Sequence, residues 1–304
     1  MAQAMRVAPD IPVDPAPVAL HAPAAPPAAA GWNARLELRF DDDAAQRTVL
    51  GHSLHVGPLR VQKALYPEGP RVCHVVIVHP PGGIAGGDRL ETHLDLGPGT
   101  HALITTPGAT KWYRTAGPAA QQETRVRVGA GAVLEWLPQE TIVFNRAVAS
   151  NRMEVDLDAQ AGFVGWDTLC FGRTASGERF DAGSFRQRWQ IRQAGALLWN
   201  EAGSLRGGDR LLSSAAGFGG MPVCATMLAA GRAVPTALID AMRERLSGLD
   251  FGARVAVTRL PLVVAVRYLG PSAEEAREAF VAAWSFLRPL FAGRQAQTPR
   301  LWGT

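Results

Sequence analysis

The chain has 304 residues, of which 47% are hydrophobic and 19% charged, with a formal net charge of +4. This composition supplies a packed core and excludes a wholly disordered chain. The cations are almost all arginine, only Lys63 and Lys111 being lysine, and no dense basic run interleaved with aromatics occurs, which argues against a nucleic-acid partner.

Residues 1–31 are rich in Ala and Pro, and seven prolines interrupt residues 7–31. Such a run has no apolar centre long enough for a secretion signal and is expected to be a disordered extension with some polyproline II character. Residues 32–304 are expected to form a single β-rich domain. Leu36, Leu38 and Phe40 alternate with Arg35, Glu37 and Arg39, the period of a half-buried strand. Val75–Val78 is a continuous apolar run before Pro80-Pro81 and reads as a strand buried on both faces.

An internal echo follows. Leu94-Asp95-Leu96, Val126-Arg127-Val128 and Val155-Asp156-Leu157 are each followed by a small turn and a second apolar strand, and lie 32 and 29 residues apart. Repeats of this period bury their faces by stacking on one another, as in a β-helix or solenoid, although a layered sandwich or a meander with glycine-rich turns satisfies the pattern too. Further strands are predicted around Phe185–Ile191, where Phe185, Trp189 and Ile191 share one parity, and over Leu262–Leu269. Two helices are predicted in the C-terminal third. Pro235–Leu249 carries Leu238, Met242 and Leu246 at helical spacing. Ser272–Phe291 opens on Ser272-x-x-Glu275, carries Phe280, Trp284, Leu287 and Phe291 along one face, and meets Pro289 near its end.

The chemistry-bearing motifs are mostly absent. The run Pro80–Asp88 has neither Gly-Lys-Ser/Thr nor GxGxxG spacing, and no GxSxG or HExxH occurs. Cys73, Cys170 and Cys224 are far apart, odd in number and in no CxxC, which argues against a disulfide framework or a cysteine zinc site and fits a reducing, cytoplasmic compartment. No run of about 18 uncharged apolar residues predicts a membrane span. The seven histidines are dispersed, and His74 and His79, five apart on one strand, point to opposite faces. Acidic residues beside glycines or aromatic strands (Asp88, Glu140, Asp167, Glu178 and Glu201) serve as turn caps and ion-pair partners, or else as carboxylates along a wet internal path that bind a divalent cation weakly enough to let it leave.

Taken together, several strings resemble the urease accessory protein UreD (UreH in some organisms). They are Gly57–Lys63, Leu65–Gly69, His79–Asp88, Thr105–Arg114, Leu134–Glu140, Phe171–Arg173 with Gly177-Glu178, and Thr298–Trp302, in order from about Trp32 to the C-terminus. The resemblance implies a β-helix-like body with helices toward the C-terminal part. It implies a scaffold rather than an enzyme: a metallochaperone component that binds UreF, through it the GTPase UreG, and docks on apo-urease for nickel insertion. Nickel(II) would be a transient passenger, with no tightly bound cofactor. By motif position the resemblance points to Asp88, Thr110, Asp167 and Glu201 as passage residues, with Glu140 added from its place in Pro138–Thr141. The aromatic stripe of the last helix and an expected exposed Trp302 in Thr298–Trp302 give Trp284, Phe291, Thr298, Pro299, Arg300 and Trp302 as the partner-facing set, with core packing as the rival role. The alternatives are an adaptor with no ion path and a β-solenoid hydrolase, whose first suspects would be Asp167 and Glu178.

Overall fold

The computed structural model describes residues 31–303; the Ala/Pro-rich extension, Gly31 apart, lies outside the described residues. The strands in chain order are β1 (Asn33–Asp42), β2 (Thr48–Val56), β3 (Arg60–Val61), β4 (Cys73–Val78), β5 (Arg89–Leu96), β6 (His101–Thr105), β7 (Thr110–Trp112), β8 (Ala120–Val128) and β9 (Val133–Trp136). They continue as β10 (Thr141–Val143), β11 (Val148–Leu157), β12 (Gly162–Phe171), β13 (Ser184–Gln193), β14 (Ala196–Arg206), β15 (Val223–Ala230), β16 (Val255–Arg259) and β17 (Val263–Gly270). The helices are α1 (Arg210–Ser213), α2 (Thr236–Ser247) and α3 (Ala273–Ala292).

The strands form two facing sheets. One has the order β14-β13-β11-β8-β5-β1-β2; the other runs β16-β17-β15-β12-β9-β6-β4-β3, with β7 and β10 alongside. The centre of each sheet is parallel. The echo seen in the sequence is the reason: β5–β6, β8–β9 and β11–β12 are successive coils of a solenoid. Leu94, Val126 and Val155 stand in register on one sheet, and Ala102, Leu134 and Phe163 on the other. The turns stack as well, since Gly129 N donates to Leu96 O at 2.8 Å and Asp158 N to Val128 O at 2.9 Å. The fold is therefore mainly β and solenoid-like. Antiparallel pairs close its ends, β1 with β2 and β13 with β14 on one sheet, β12 with β15 and β15 with β17 on the other.

The alternation of β1 buries Leu36, Leu38 and Phe40 between the sheets, with Trp189, Ile191 and Phe163 in the same cluster. A second core lies on the far face of the β15-containing sheet, where α2 and α3 pack. There Phe280, Trp284, Leu287 and Phe291 are wholly or almost wholly buried, each contributing roughly 1.5–3 kcal/mol of apolar burial. Ser272 caps α3 by accepting from Glu274 N and Glu275 N at 3.1 and 3.3 Å. The reciprocal half of a capping box is not made: Glu275 instead accepts from Tyr268 Oη at 2.7 Å and Arg254 at 2.9 Å. Pro289 does not end the helix, which runs one more turn to Ala292 and stops at Gly293, φ +64°. So near the C-terminus proline forfeits little of the hydrogen-bond ladder.

Candidate functional site

The interior between the sheets is not uniformly apolar. Strand register lays side chains in layers across the solenoid. One layer is Leu94–Val126–Val155–Ile191. The next is Thr92–Thr124–Met153–Trp189–Glu201, and beyond it Leu90–Gln122–Asn151–Gln187. The layer after that returns to Ala120–Ala149–Phe185–Leu205. On the facing sheet Asp167, Thr226 and Arg267 stand in register across β12, β15 and β17. A polar belt thus crosses an apolar core.

Two cavities open along this belt. The smaller, about 350 Å³, is lined by His79, Thr92, Thr110, Gln122, Thr124 and Asn151 among others. The larger, about 470 Å³, carries Gln187, Glu201, Cys224, Thr226 and Arg267 among aromatic neighbours. Asp167 and Trp189 line both. Asp167 sits where they meet and reaches from one sheet to the other: it accepts from Thr141 Oγ1 at 3.5 Å, from Asn151 Nδ2 at 3.4 Å and from Gln187 Nε2. Burial outweighs these neutral donors and pushes its carboxyl up to about 6. His79 Nε2 and Trp189 Nε1 are buried with no protein partner. Burial lowers the His79 imidazole from its ordinary value, against the opposing charge of Asp88, which favours the neutral form that can ligate a metal. Among the described residues no three His, Cys, Asp or Glu side chains gather closely enough to hold a metal ion. Donors are instead strung singly along the belt.

Thr110, Asp167 and Glu201 of the sequence-derived set all face these cavities. Thr110 enters because β7 pairs with β10 beside β12. Glu201 is held by Arg267 Nη1 at 2.7 Å. Asp88 lies elsewhere: its two oxygens accept from Trp32 N and Ala85 N, each at 2.8 Å, and so fasten the glycine-rich turn to the start of β1. Glu140 faces the helices, 3.6 Å from Arg277 Nη2. Glu178 pairs with Arg173 at 2.8 Å and accepts from Asn145 N, away from Asp167. The amides Gln122, Asn151 and Gln187 and the cavity-lining Arg267 were not singled out from sequence, and His79 was read only as one of the dispersed histidines. For the four on strands the signal was parity, since they fall on the inward phase of β8, β11, β13 and β17, while His79 lies just past β4.

The C-terminal set divides. Trp284 and Phe291 are in the second core. Thr298 and Arg300 are exposed and Pro299 half-buried. Trp302 is docked rather than free: its Nε1 donates to Thr105 Oγ1 at 2.9 Å, and its ring lies 5.5 Å from Trp166 and 6.4 Å from Trp284. Two histidines that looked unremarkable join a buried charge cluster. Arg288 donates to Glu135 at 3.0–3.1 Å and to Glu68 at 2.7 Å. His101 bonds Glu135 at 2.7 Å, His74 bonds Glu68 at 2.8 Å, and Trp284 Nε1 donates to Glu135 at 2.6 Å. These bonds fix α3 to β4, β6 and β9. Among the described residues no helix is long and apolar enough to cross a membrane.

A model of the UreD urease accessory protein family matches residues 33–303. The urease accessory protein UreD of Azoarcus sp. (strain BH72) is 49% identical over 286 residues, covering 94% of this chain and 97% of its own. Those of Janthinobacterium sp. (strain Marseille) and Dechloromonas aromatica (strain RCB) are 49% and 48% identical, covering 89% and 90% of this chain and 91% and 95% of their own. With the matched region running from the first strand to the C-terminal docking of Trp302, the chain belongs to the UreD urease accessory protein family.

Proposed function

We propose that the chain is a scaffold for nickel insertion into apo-urease, acting in a cytoplasmic complex with UreF and, through UreF, the GTPase UreG, and that nickel(II) moves through its interior along the polar belt. The observation that carries this reading is Asp167, a carboxylate shared by two cavities in the heart of a β-solenoid. A carboxylate whose charged form burial penalises costs the core stability, so its place there speaks for a role other than packing. Single oxygen donors spaced along a path bind a borderline divalent cation transiently, while clustered thiolates and imidazoles would retain it. Thr110 and His79 serve one arm of the path and Glu201 the other. Asp88 supports it indirectly, by fixing the turn that carries His79 toward the smaller cavity. The partner-facing role proposed for the C-terminus falls on Thr298, Pro299 and Arg300, while Trp302 anchors that segment and Trp284 and Phe291 support it from within.

The reading is tested by coexpressing apo-urease with UreF and UreG, with and without this chain, and measuring nickel per urease and urease activity. Activation that depends on the chain is expected; equal activation in its absence overturns the proposal.

A further inference from the structure

Glu201 is the more exposed of the two carboxylates lining the larger cavity, and it is not free. It lies on β14, the edge of one sheet; its partner Arg267 lies on β17 of the other. Arg267 Nη1 stands 2.7 Å from Glu201 Oε1 and 3.4 Å from Thr226 Oγ1. Its guanidinium carbon is 5.7 Å from the centre of the Trp199 ring. Both partners line the larger cavity with Asp167. The other arginine lining it, Arg254, is engaged by Glu275 at 2.9 Å. The positive charge set against Glu201 is therefore that of Arg267.

We propose that Arg267 is the gate of the passage: its guanidinium occupies the cation position at Glu201, and a divalent cation reaches Asp167 from this side only after Arg267 has left. The inference rests on the passage reading above and adds to it the residue that controls entry. Two physical arguments support it. A fixed positive charge beside Glu201 repels a second cation, and Arg267 Nη1 takes up a lone pair of Oε1 that the cation would otherwise use. The pair is cheap to open, because the side chains of Arg267 and Glu201 remain 46% and 35% exposed, and ion pairs with such access to water are worth roughly 0–1 kcal/mol. Trp199 offers the displaced guanidinium a π face already within cation–π range.

The experiment uses the full-length protein purified with coexpressed UreF and titrates it with nickel(II) chloride, comparing wild type with Arg267→Gln, Arg267→Lys, Asp167→Asn and the double variant Arg267→Gln/Glu201→Gln. Removing the guanidinium should tighten nickel binding about two- to fivefold, the scale set by a water-accessible ion pair. The lysine variant should stay close to wild type, and the double variant should lose the gain. A simple structural tie between the sheets predicts changed thermal stability with unchanged nickel affinity, which overturns the gate. If Asp167→Asn weakens binding while Arg267→Gln leaves it unchanged, the passage stands and the gate falls. If neither variant alters binding, the passage falls and the gate with it. Should Arg267→Gln fail to fold, Arg267→Met decides, since it keeps the aliphatic stem: tightening of about two- to fivefold supports the gate, and unchanged affinity overturns it.

Discussion

Arg288→Met removes the cation that holds α3 against the solenoid, and the structure sets the size of the effect. Arg288 is almost wholly buried, and Glu135 wholly so. The guanidinium serves Glu135, Glu68 and the carbonyl of Gln295, the last at 2.7 Å. Methionine keeps most of the aliphatic volume, so the loss is electrostatic. Two carboxylates with buried side chains are left with only His74, His101 and Trp284 as partners. Breaking a buried pair from one side costs about 3–5 kcal/mol, because the remaining charge is uncompensated. At about 2–4 °C per kcal/mol for a chain of this size, the melting temperature should fall by roughly 6–20 °C. Urea unfolding followed by tryptophan fluorescence measures it, as a lower midpoint at unchanged slope. Adding Glu135→Leu should recover part of the loss, since it removes one of the stranded charges. A loss under about 1 kcal/mol for Arg288→Met alone would refute the reasoning.

Acid should attack the same cluster. Hydrogen bonds and charge from His74 and Arg288 overcome burial to hold Glu68 down to about 2, and His101 and Arg288 hold Glu135 below the usual range. A depressed folded-state carboxyl stabilises above its unfolded value and loses that stabilisation as pH falls, so stability should drop from about pH 4.5 toward about pH 2. Asp167 has the opposite sign. Its raised folded-state value means that a penalty appears as pH rises from 3.8 through about 6. Asp167→Asn should therefore gain stability relative to wild type as pH rises from 4 to 8, as read by denaturant midpoints at the two pH values. Gly231 has φ +100°, and a Cβ there would press on the Ala161 carbonyl; Gly231→Ala should cost at least about 1 kcal/mol in urea unfolding. Deleting residues 298–304 should uncover Trp166 and Trp284, lower the melting temperature and reduce UreF capture in a pull-down. Undiminished capture would remove the C-terminal segment from the partner surface.

The solenoid was legible because its coils repeat in sequence. Leu94, Val126 and Val155 occur at nearly constant spacing, and stacked parallel strands turn constant spacing into register. The helices were legible from Met242, Leu246, Phe280 and Trp284 at helical period and from the Ser272 cap. The site was less so. Asp167 was reached through a motif resemblance, yet what makes it unusual, a place at the junction of two cavities, follows from β11 and β13 facing β12 across the core. No local pattern carries that. Asp88 and Glu140 sit in more distinctive strings than Asp167, but the strings record turn geometry and helix contact. The buried cluster was illegible for the same reason: Glu68, Glu135 and Arg288 are brought together by coil stacking and by the docking of α3, over separations that periodicity does not report. The aromatic stripe of α3 illustrates the converse. Its spacing gave the helix face correctly, and only the packing shows that Trp284 and Phe291 face inward.

If nickel reaches urease by way of Asp167, the nickel content of urease matured with the Asp167→Asn chain must change. The substitution keeps the shape and the contacts to Thr141 while removing the anion. The variant should still copurify with UreF, UreG and apo-urease, and the urease it serves should carry less nickel. Full nickel loading by a complex carrying that variant would leave the chain an adaptor with no ion path.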